Sequence, residues 1–165
     1  MKFLKTANLF VLVFLLFGGS AHSSTVPLLD TKTLDCFKQD LDVYVGKGKW
    51  TLVMFWATDC SICKRQKPEI SAFHNKHKNK DAQVIGVAID GYAKKSEILE
   101  YLDQHETSFP TLIAELPILA MNYEIATEEP FRGTPTYWFT PAGELVGNNP
   151  GPLRAEAVEK FMAKH

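Results

Sequence analysis

The sequence predicts one α/β domain built on a mixed β-sheet with helices on both faces. Three observations lead to this fold class: two short continuous apolar runs, amphipathic segments between and after them, and a late pair of strand-like segments around a turn. Continuous apolar runs are typical of strands buried on both faces of a sheet, and alternating strands and helices indicate a layered α/β fold. At 165 residues with 45% hydrophobic residues, the chain is long enough to bury one core.

The individual elements follow from local patterns. Residues 51–57 and 84–89 are apolar runs that predict buried strands. Residues 137–140 and 144–147 flank Pro-Ala-Gly and predict an antiparallel hairpin, with a loop over 147–152. Helical spacing of apolar residues predicts helices at 61–79, 94–104, 118–123 and 153–161.

Composition excludes several classes of protein. The formal net charge of −1 is too small for a nucleic-acid binder that works by neutralising phosphates. Three cysteines are too few for a miniprotein held together by disulfides. A globular domain with some cysteine chemistry remains.

The N-terminus predicts a cleaved signal peptide over residues 1–21. Lys2 and Lys5 precede an apolar run at 9–17, and small residues follow. Nine apolar residues are short of the roughly 20 that span a bilayer, so no stable membrane anchor is expected. We expect cleavage after Ala21, with Ser23 as the second choice, and export to a compartment where disulfides persist, the bacterial periplasm.

One pair of cysteines carries chemistry. Cys60 and Cys63 form a Cys-x-x-Cys motif that follows the first predicted strand and opens the first long helix. The partial positive charge of a helix N-terminus stabilises a thiolate, so we expect Cys60 to be the nucleophile. Cys63, one turn further, is expected to be more buried and to resolve a mixed disulfide. Charged residues surround the pair: Asp59, Lys64, Arg65 and Lys67.

Other interpretations of these residues stay open. The pair could form a structural disulfide or half of a zinc site, although no second Cys-x-x-Cys supplies the remaining ligands. His74 and His77 could share a helix face as metal ligands, but a hydrated, positively charged helix end is preferred. For Cys36 we favour a buried, inert thiol over pairing with another chain. Trp138 and Phe139 are expected in the core.

Several motifs in order make the chain similar to the thioredoxin superfamily, and within it to the exported TlpA/ResA-like branch. The resemblance covers about residues 50–164, so we divide the chain into the signal peptide, an N-terminal extension over 22–49 and a thioredoxin-like domain over 50–165. The motifs are Phe55-Trp56-Ala57-Thr58, the cysteine pair, Pro68, a helix inserted after Ile89-Asp90, Phe109-Pro110 and Gly133-Thr134-Pro135.

The resemblance implies a thioredoxin fold and a thiol–disulfide oxidoreductase without cofactor or metal. Cys60 and Cys63 then form the redox-active disulfide. Pro135 corresponds to the family's cis-proline, and the backbone of Thr134 to its substrate-pairing segment. Trp56 corresponds to the tryptophan behind the active site, which completes the set of substrate-binding candidates.

The branch also implies partners and a direction. Expected partners are protein dithiols and disulfides, apocytochrome c among them, with electrons from a membrane thiol reductase. Two acids that are usual in the family are missing from this chain. Met54 stands where many thioredoxins have a buried Asp, and Gln66 stands where TlpA/ResA relatives often have a Glu. The branch implies a reductant of protein disulfides, and the missing acids leave an oxidase or isomerase as the alternative direction. A non-catalytic metal-binding module, loaded through the cysteines and a histidine, is the alternative from another class.

Overall fold

The computed structural model describes residues 29–140 and 143–165, in which a six-stranded mixed sheet forms the centre. The strand order is β1-β4-β3-β2-β5-β6. The central strands β2, β3 and β4 run parallel, whereas β1, β5 and β6 run antiparallel to the strands beside them. Their bounds are β1 Lys32–Thr33, β2 Trp50–Trp56, β3 Ala82–Ala88, β4 Thr111–Ile113, β5 Thr136–Thr140 and β6 Gly147–Pro150. The predicted signal peptide and its cleavage site lie outside these described residues.

Helices cover both faces of this sheet, as the sequence predicted. The helices are α1 Ser61–His77, α2 Lys95–Gln104, α3 Leu116–Thr127 and α4 Ala155–Met162. Along β2, Met54 and Trp56 join a core cluster with residues of α1, α2 and α4, whereas Val53 and Phe55 join a second cluster with residues of α3. Because side chains alternate along a strand, one continuous apolar run supplies both cores. The predicted fold class is confirmed.

Aromatic rings from β2, β5 and α3 pack together in the second core cluster. Phe55 lies edge-on to Trp138, with ring centroids 4.8 Å apart, and Tyr123 of α3 stacks on the same indole at 5.5 Å. Trp138 is fully buried, which confirms the prediction for that residue, while the side chain of Phe139 lies outside the described part. Each fully buried side chain of this size contributes about 1.5–3 kcal/mol to stability, so this packing stabilises β2, the strand that precedes the cysteine pair.

Residues before β2 also take part in the fold. Leu29 and Leu41 are fully buried in the second core cluster, and β1 pairs with β4 at the sheet edge. The carboxylate of Asp40 accepts hydrogen bonds from the backbone N–H groups of Leu29 and Leu41 at 3.0 and 2.8 Å. This segment therefore packs against the sheet.

Two predicted elements are wrong in their bounds. The second hairpin strand was expected at 144–147 with a loop after it, but β6 spans Gly147–Pro150. An edge strand pairs on one side only and tolerates proline, so Asn and Pro residues there hid the strand. The helix expected over 118–123 extends over Leu116–Thr127. No helix within residues 29–140 and 143–165 is long and apolar enough to cross a membrane.

Candidate active site

The cysteine pair lies where the chain passes from β2 into α1. Cys60 caps the helix, and its Sγ accepts a hydrogen bond from the backbone N–H of Cys63 at 3.1 Å. The two sulfurs form a disulfide with an S–S distance of 2.10 Å and Cα atoms 5.2 Å apart. That separation is within the range of about 4.4–6.8 Å that disulfides require, so the helix start holds the bond without rearrangement of the backbone.

The two cysteines differ in access. Cys63 is fully buried, whereas Cys60 is only half-buried. A sulfur atom of another protein therefore has a path to Cys60 and none to Cys63. Because Cys60 is at the N-terminus of a 17-residue helix, the helix dipole also favours its thiolate.

The loop before Cys60 is fastened to the end of β3. Asp90 accepts hydrogen bonds from the backbone N–H and the side-chain hydroxyl of Thr58, the latter at 2.6 Å. In the sequence, Asp90 only marks the position after which the extra helix is inserted. The structure shows that this carboxylate fixes the approach of the chain to the redox-active pair.

The start of β5 meets the cysteine pair at the same end of the sheet. Thr136 pairs with Phe55 of β2, and the preceding Thr134–Pro135 peptide bond is cis. A cavity of about 680 Å³ is lined by Ala57 and Asp59 on one side and by Gly133 and Thr134 on the other. An extended segment in this cavity would lie beside Asp59, the residue before Cys60, and beside Thr134, whose backbone could pair with it as a strand does.

Trp56 lies beneath the site and does not face a substrate. Its side chain is fully buried, so the expectation that it binds substrate is corrected to a supporting role. The indole packs against the Tyr101 ring, with centroids 5.1 Å apart, and the Nζ of Lys67 lies over its face. A residue at the end of a strand buried on both faces has no route to a bound protein.

Lys67 is the site residue whose burial the sequence concealed. Of the three basic residues after Cys63, Lys64 and Arg65 are exposed, but Lys67 is only 2% exposed. Its Nζ lies 3.5 Å from the Trp56 ring centroid and 4.3 Å from that of Tyr101. Burial lowers the pKa of Lys67 to about 7, against an opposing effect of Asp90. The sequence does hint at this burial through helical spacing, because position 67 follows Cys63, which is expected to be buried, by one helical turn.

Gln66 occupies a polar position inside the protein. Its Nε2 donates to the carbonyl of Leu153 at 2.7 Å, and its Oε1 accepts from Tyr137 at 2.6 Å and from the Leu153 N–H at 2.9 Å. These three bonds engage both ends of the amide. Burial also raises the pKa of Tyr137, so this hydroxyl remains a proton donor to Gln66.

The two histidines of α1 are packed, not hydrated. His74 Nδ1 accepts a hydrogen bond from the Val84 N–H at 3.0 Å, and His77 bonds Asp81 and Glu159. Both side chains are buried, which corrects the expectation of a solvated helix end. Within the described ranges, no cluster of three or more His, Cys, Asp or Glu residues could hold a metal ion. His74 is eleven residues beyond Cys63, about 16 Å along the helix.

Cys36 is exposed, so the expectation of a buried thiol is wrong. It lies in the turn after β1 with a φ of +66°, and its backbone N–H donates to the Thr33 carbonyl at 2.8 Å. A left-handed turn residue at a sheet edge points away from the core. It takes no part in the arrangement around Cys60.

Comparison with curated proteins points to one kind of enzyme. The sporulation thiol-disulfide oxidoreductase A of Bacillus subtilis is 23% identical over 118 residues, covering 70% of this chain and 68% of that protein. The thiol-disulfide oxidoreductase ResA of Oceanobacillus iheyensis is 24% identical over 116 residues, and the match covers 70% of this chain but only 57% of that ResA. These relatives confirm the predicted resemblance and the predicted enzyme class.

Solved structures give the same fold. A thiol:disulfide interchange protein of Chlorobium tepidum superposes with a TM-score of 0.69 at 19% identity, covering 86% of this chain and 94% of that one. A secreted disulfide oxidoreductase of Mycobacterium tuberculosis superposes with a TM-score of 0.60 at 17% identity, covering 82% of this chain and 94% of that one. At these identities the likeness establishes the fold alone.

The family assignment rests on a match to most of the chain. The sequence profile of the thioredoxin-like domain matches residues 37–165. That range contains the cysteine pair, the cis-proline and every strand except β1. The chain belongs to the thioredoxin-like domain family.

Proposed function

We propose that this thiol–disulfide oxidoreductase works as an exported reductant of protein disulfides. The observation that carries the proposal is the unequal burial of a bonded cysteine pair at a helix start, with Cys60 half-buried and Cys63 fully buried. A reachable thiol and an unreachable partner suit two-step exchange. A disulfide with a purely structural role has no need of this asymmetry.

The exchange proceeds in two balanced steps. In the reduced protein, the Cys60 thiolate attacks one sulfur of a substrate disulfide, forms a mixed disulfide and releases the other substrate sulfur as a thiolate. The Cys63 thiolate then attacks the Cys60 sulfur, which reforms the Cys60–Cys63 bond and releases the second substrate thiolate. Two electrons pass to the substrate, and an external dithiol must return them. A membrane thiol reductase is the proposed donor.

Substrate binding falls to the cavity between the cysteine loop and the start of β5. Gly133 and Thr134 offer backbone there, and Leu116, Pro117 and Phe131 contribute apolar surface. Backbone pairing does not depend on substrate side chains, so a range of extended protein segments fits. Apocytochrome c is one substrate that the ResA resemblance suggests.

Export is supported by two observations. Residues 1–21 have the charged, apolar and small-residue pattern of a signal peptide. One structural neighbour of the same fold is described as secreted. An oxidising compartment such as the bacterial periplasm is where substrate disulfides would form.

Trapping variants test the assigned roles. Cys63→Ser should accumulate mixed disulfides through Cys60, because the resolving thiol is gone, whereas Cys60→Ser should accumulate none. Non-reducing gels of the mature protein, incubated with a disulfide-bonded substrate protein, give the readout. Cys36→Ser serves as the matched control, since it removes an exposed cysteine outside the site. Equal trapping by the first two variants would contradict the roles.

A redox titration of the mature protein tests the direction. We expect a two-electron midpoint below about −230 mV, toward the thioredoxin value near −270 mV. A midpoint above roughly −180 mV, toward that of DsbA near −120 mV, would identify an oxidase or isomerase instead. Failure of the pair to cycle, together with stoichiometric bound metal, would favour a metal-binding module.

A further inference from the structure

The amine of Lys67 is an unpartnered polar group inside the protein. The side chain is 2% exposed, and Nζ has no hydrogen-bond partner among the described residues. Its contacts are the faces of Trp56 and Tyr101. Burial of a charged ammonium without a hydrogen-bond acceptor is costly, so a lysine at this position calls for an explanation.

Helix geometry directs this amine toward the resolving cysteine. Cys63 and Lys67 are four residues apart on α1, and both lie on its buried face. Residues at this spacing have Cβ atoms about 5–6 Å apart. Long side chains in a helix lean toward its N-terminus, over the preceding turn. The Lys67 side chain therefore leans toward the turn that carries Cys63, and in the disulfide form its Nζ lies over the Trp56 ring without a hydrogen bond to sulfur.

Other groups near Cys63 are not free to accept a proton. The Gln66 amide is engaged by three hydrogen bonds and is not basic. Met54 is apolar and fully buried, and Asp90 is bonded to Thr58. The titratable groups recorded around Lys67 or lining the cavity beside it are Lys64, Asp90, Tyr101, His105 and Glu106.

We propose that the neutral amine of Lys67 accepts the proton of the Cys63 thiol when Cys63 resolves the mixed disulfide. This inference rests on the proposed role of Cys63 as the resolving thiol. The step converts the Cys63 thiol and the Lys67 amine into a thiolate and an ammonium. The thiolate then attacks the Cys60 sulfur, and the substrate sulfur leaves with the electron pair of the broken bond. The ammonium later returns its proton to solvent.

The surroundings suit both forms of the amine. With a pKa of about 7, a large fraction of Lys67 is neutral near neutral pH and keeps a lone pair for the proton. The Trp56 and Tyr101 rings stabilise the ammonium by cation–π contact once the proton has moved. A cavity of about 430 Å³ between α1 and the end of α2 is lined in part by Lys67, and it offers a path for the proton to water.

Stopped-flow reaction of the reduced protein with dithiobis(nitrobenzoate) separates the two steps. All proteins in this assay carry Cys36→Ser, because that exposed thiol would also release the coloured thiolate. Attack by Cys60 then releases one coloured thiolate, and resolution by Cys63 releases the second. We expect Lys67→Met and Lys67→Arg to slow the second phase about 10- to 100-fold near pH 7, since general-base assistance contributes at least this much. The first phase should stay within about twofold of the wild type. Lys64→Met is the matched control, because Lys64 is an exposed lysine on the same helix.

The pH profile adds a readout that a structural role would not change. The wild-type second phase should rise along one ionisation near pH 7 that belongs to the coupled Cys63–Lys67 pair. In both Lys67 variants this rise should move to the ordinary thiol range, about pH 8.5 or above. This profile needs no substitution at Lys67, so it decides the question even where a Lys67 variant does not fold.

Three results would overturn the inference. One is a wild-type second phase that rises only above about pH 8.5. Another is an unchanged second phase in Lys67→Met. A third is full activity of Lys67→Arg, which would show that positive charge suffices, because a guanidinium does not accept a proton. Absence of the first phase in the wild type would instead contradict the proposed function itself.

Discussion

Replacement of Lys67 by methionine should stabilise the folded protein, and the gain should shrink as the pH rises. Methionine has a similar unbranched shape and carries no charge, so it fills the space over Trp56 without burying an ammonium. The wild type must either bury the charge or release a proton on folding. Both cost free energy at neutral pH.

The expected magnitude follows from the pKa of Lys67, about 7 in the folded protein against an ordinary value of 10.5. Between these values the unfolded chain binds more protons than the folded one, so the free energy of unfolding of the wild type increases with pH. The cost of Lys67 is about 4 kcal/mol at pH 7 and about 1.5 kcal/mol at pH 9.5. The Trp56 and Tyr101 rings stabilise the buried ammonium by up to about 2 kcal/mol, which offsets part of the cost at pH 7. The stability advantage of Lys67→Met over the wild type should therefore fall by about 1–3 kcal/mol between pH 7 and pH 9.5.

Urea denaturation of the oxidised proteins between pH 6 and pH 9.5 measures this difference. The wild type, Lys67→Met and the control Lys64→Met should be compared at each pH, because subtraction cancels the titration of all other groups. The control should follow the wild type within about 0.5 kcal/mol, as expected for an exposed residue. A difference between Lys67→Met and wild type that is constant with pH would refute the reasoning, since it would mean that Lys67 keeps its ordinary pKa when folded.

Two further substitutions test the packing around the site. Gly86→Ala should destabilise the protein by about 1–3 kcal/mol in thermal or urea denaturation, because an added Cβ would lie 3.0–3.1 Å from three buried side chains. Unchanged stability would show that those side chains can shift. Gln66→Ala should lower the free energy of unfolding by about 2–4 kcal/mol, since it leaves the Tyr137 hydroxyl and the Leu153 N–H without their acceptor. The control Gln104→Ala, in an exposed position, should leave stability nearly unchanged. Equal effects of the two glutamine substitutions would contradict the role of Gln66.

The active-site frame could be predicted from the sequence because its signals are local. The apolar run of β2 is continuous, and the Cys-x-x-Cys motif directly follows it, so the disulfide position depends on one strand and one helix start. Pro135 could be placed only through the family resemblance. The pairing of Thr136 with Phe55, which brings that segment to the cysteines, spans 81 residues and has no local signal.

The remaining residues were misjudged because their surroundings come from distant parts of the chain. Lys67 and the two histidines of α1 look like surface residues by type, but α2, α4 and β3 cover them. Cys36 looks like a core residue by type, yet a left-handed turn at a sheet edge exposes it. In each case residue type gave one answer and the tertiary neighbours another. Burial of a polar group is favourable only with partners that no local pattern reveals.

The two thiols of the pair meet different electrostatic surroundings, and this difference orders the chemistry. Cys60 is partly exposed at a helix N-terminus, where the helix dipole and water both favour its thiolate. Cys63 is fully buried, where a thiolate is disfavoured unless a neighbour takes its proton. The amine of Lys67 reaches that interior from one helical turn away. The Cys60 thiol can thus attack first. The Cys63 thiol becomes reactive when the buried amine of Lys67, and not a carboxylate, accepts its proton.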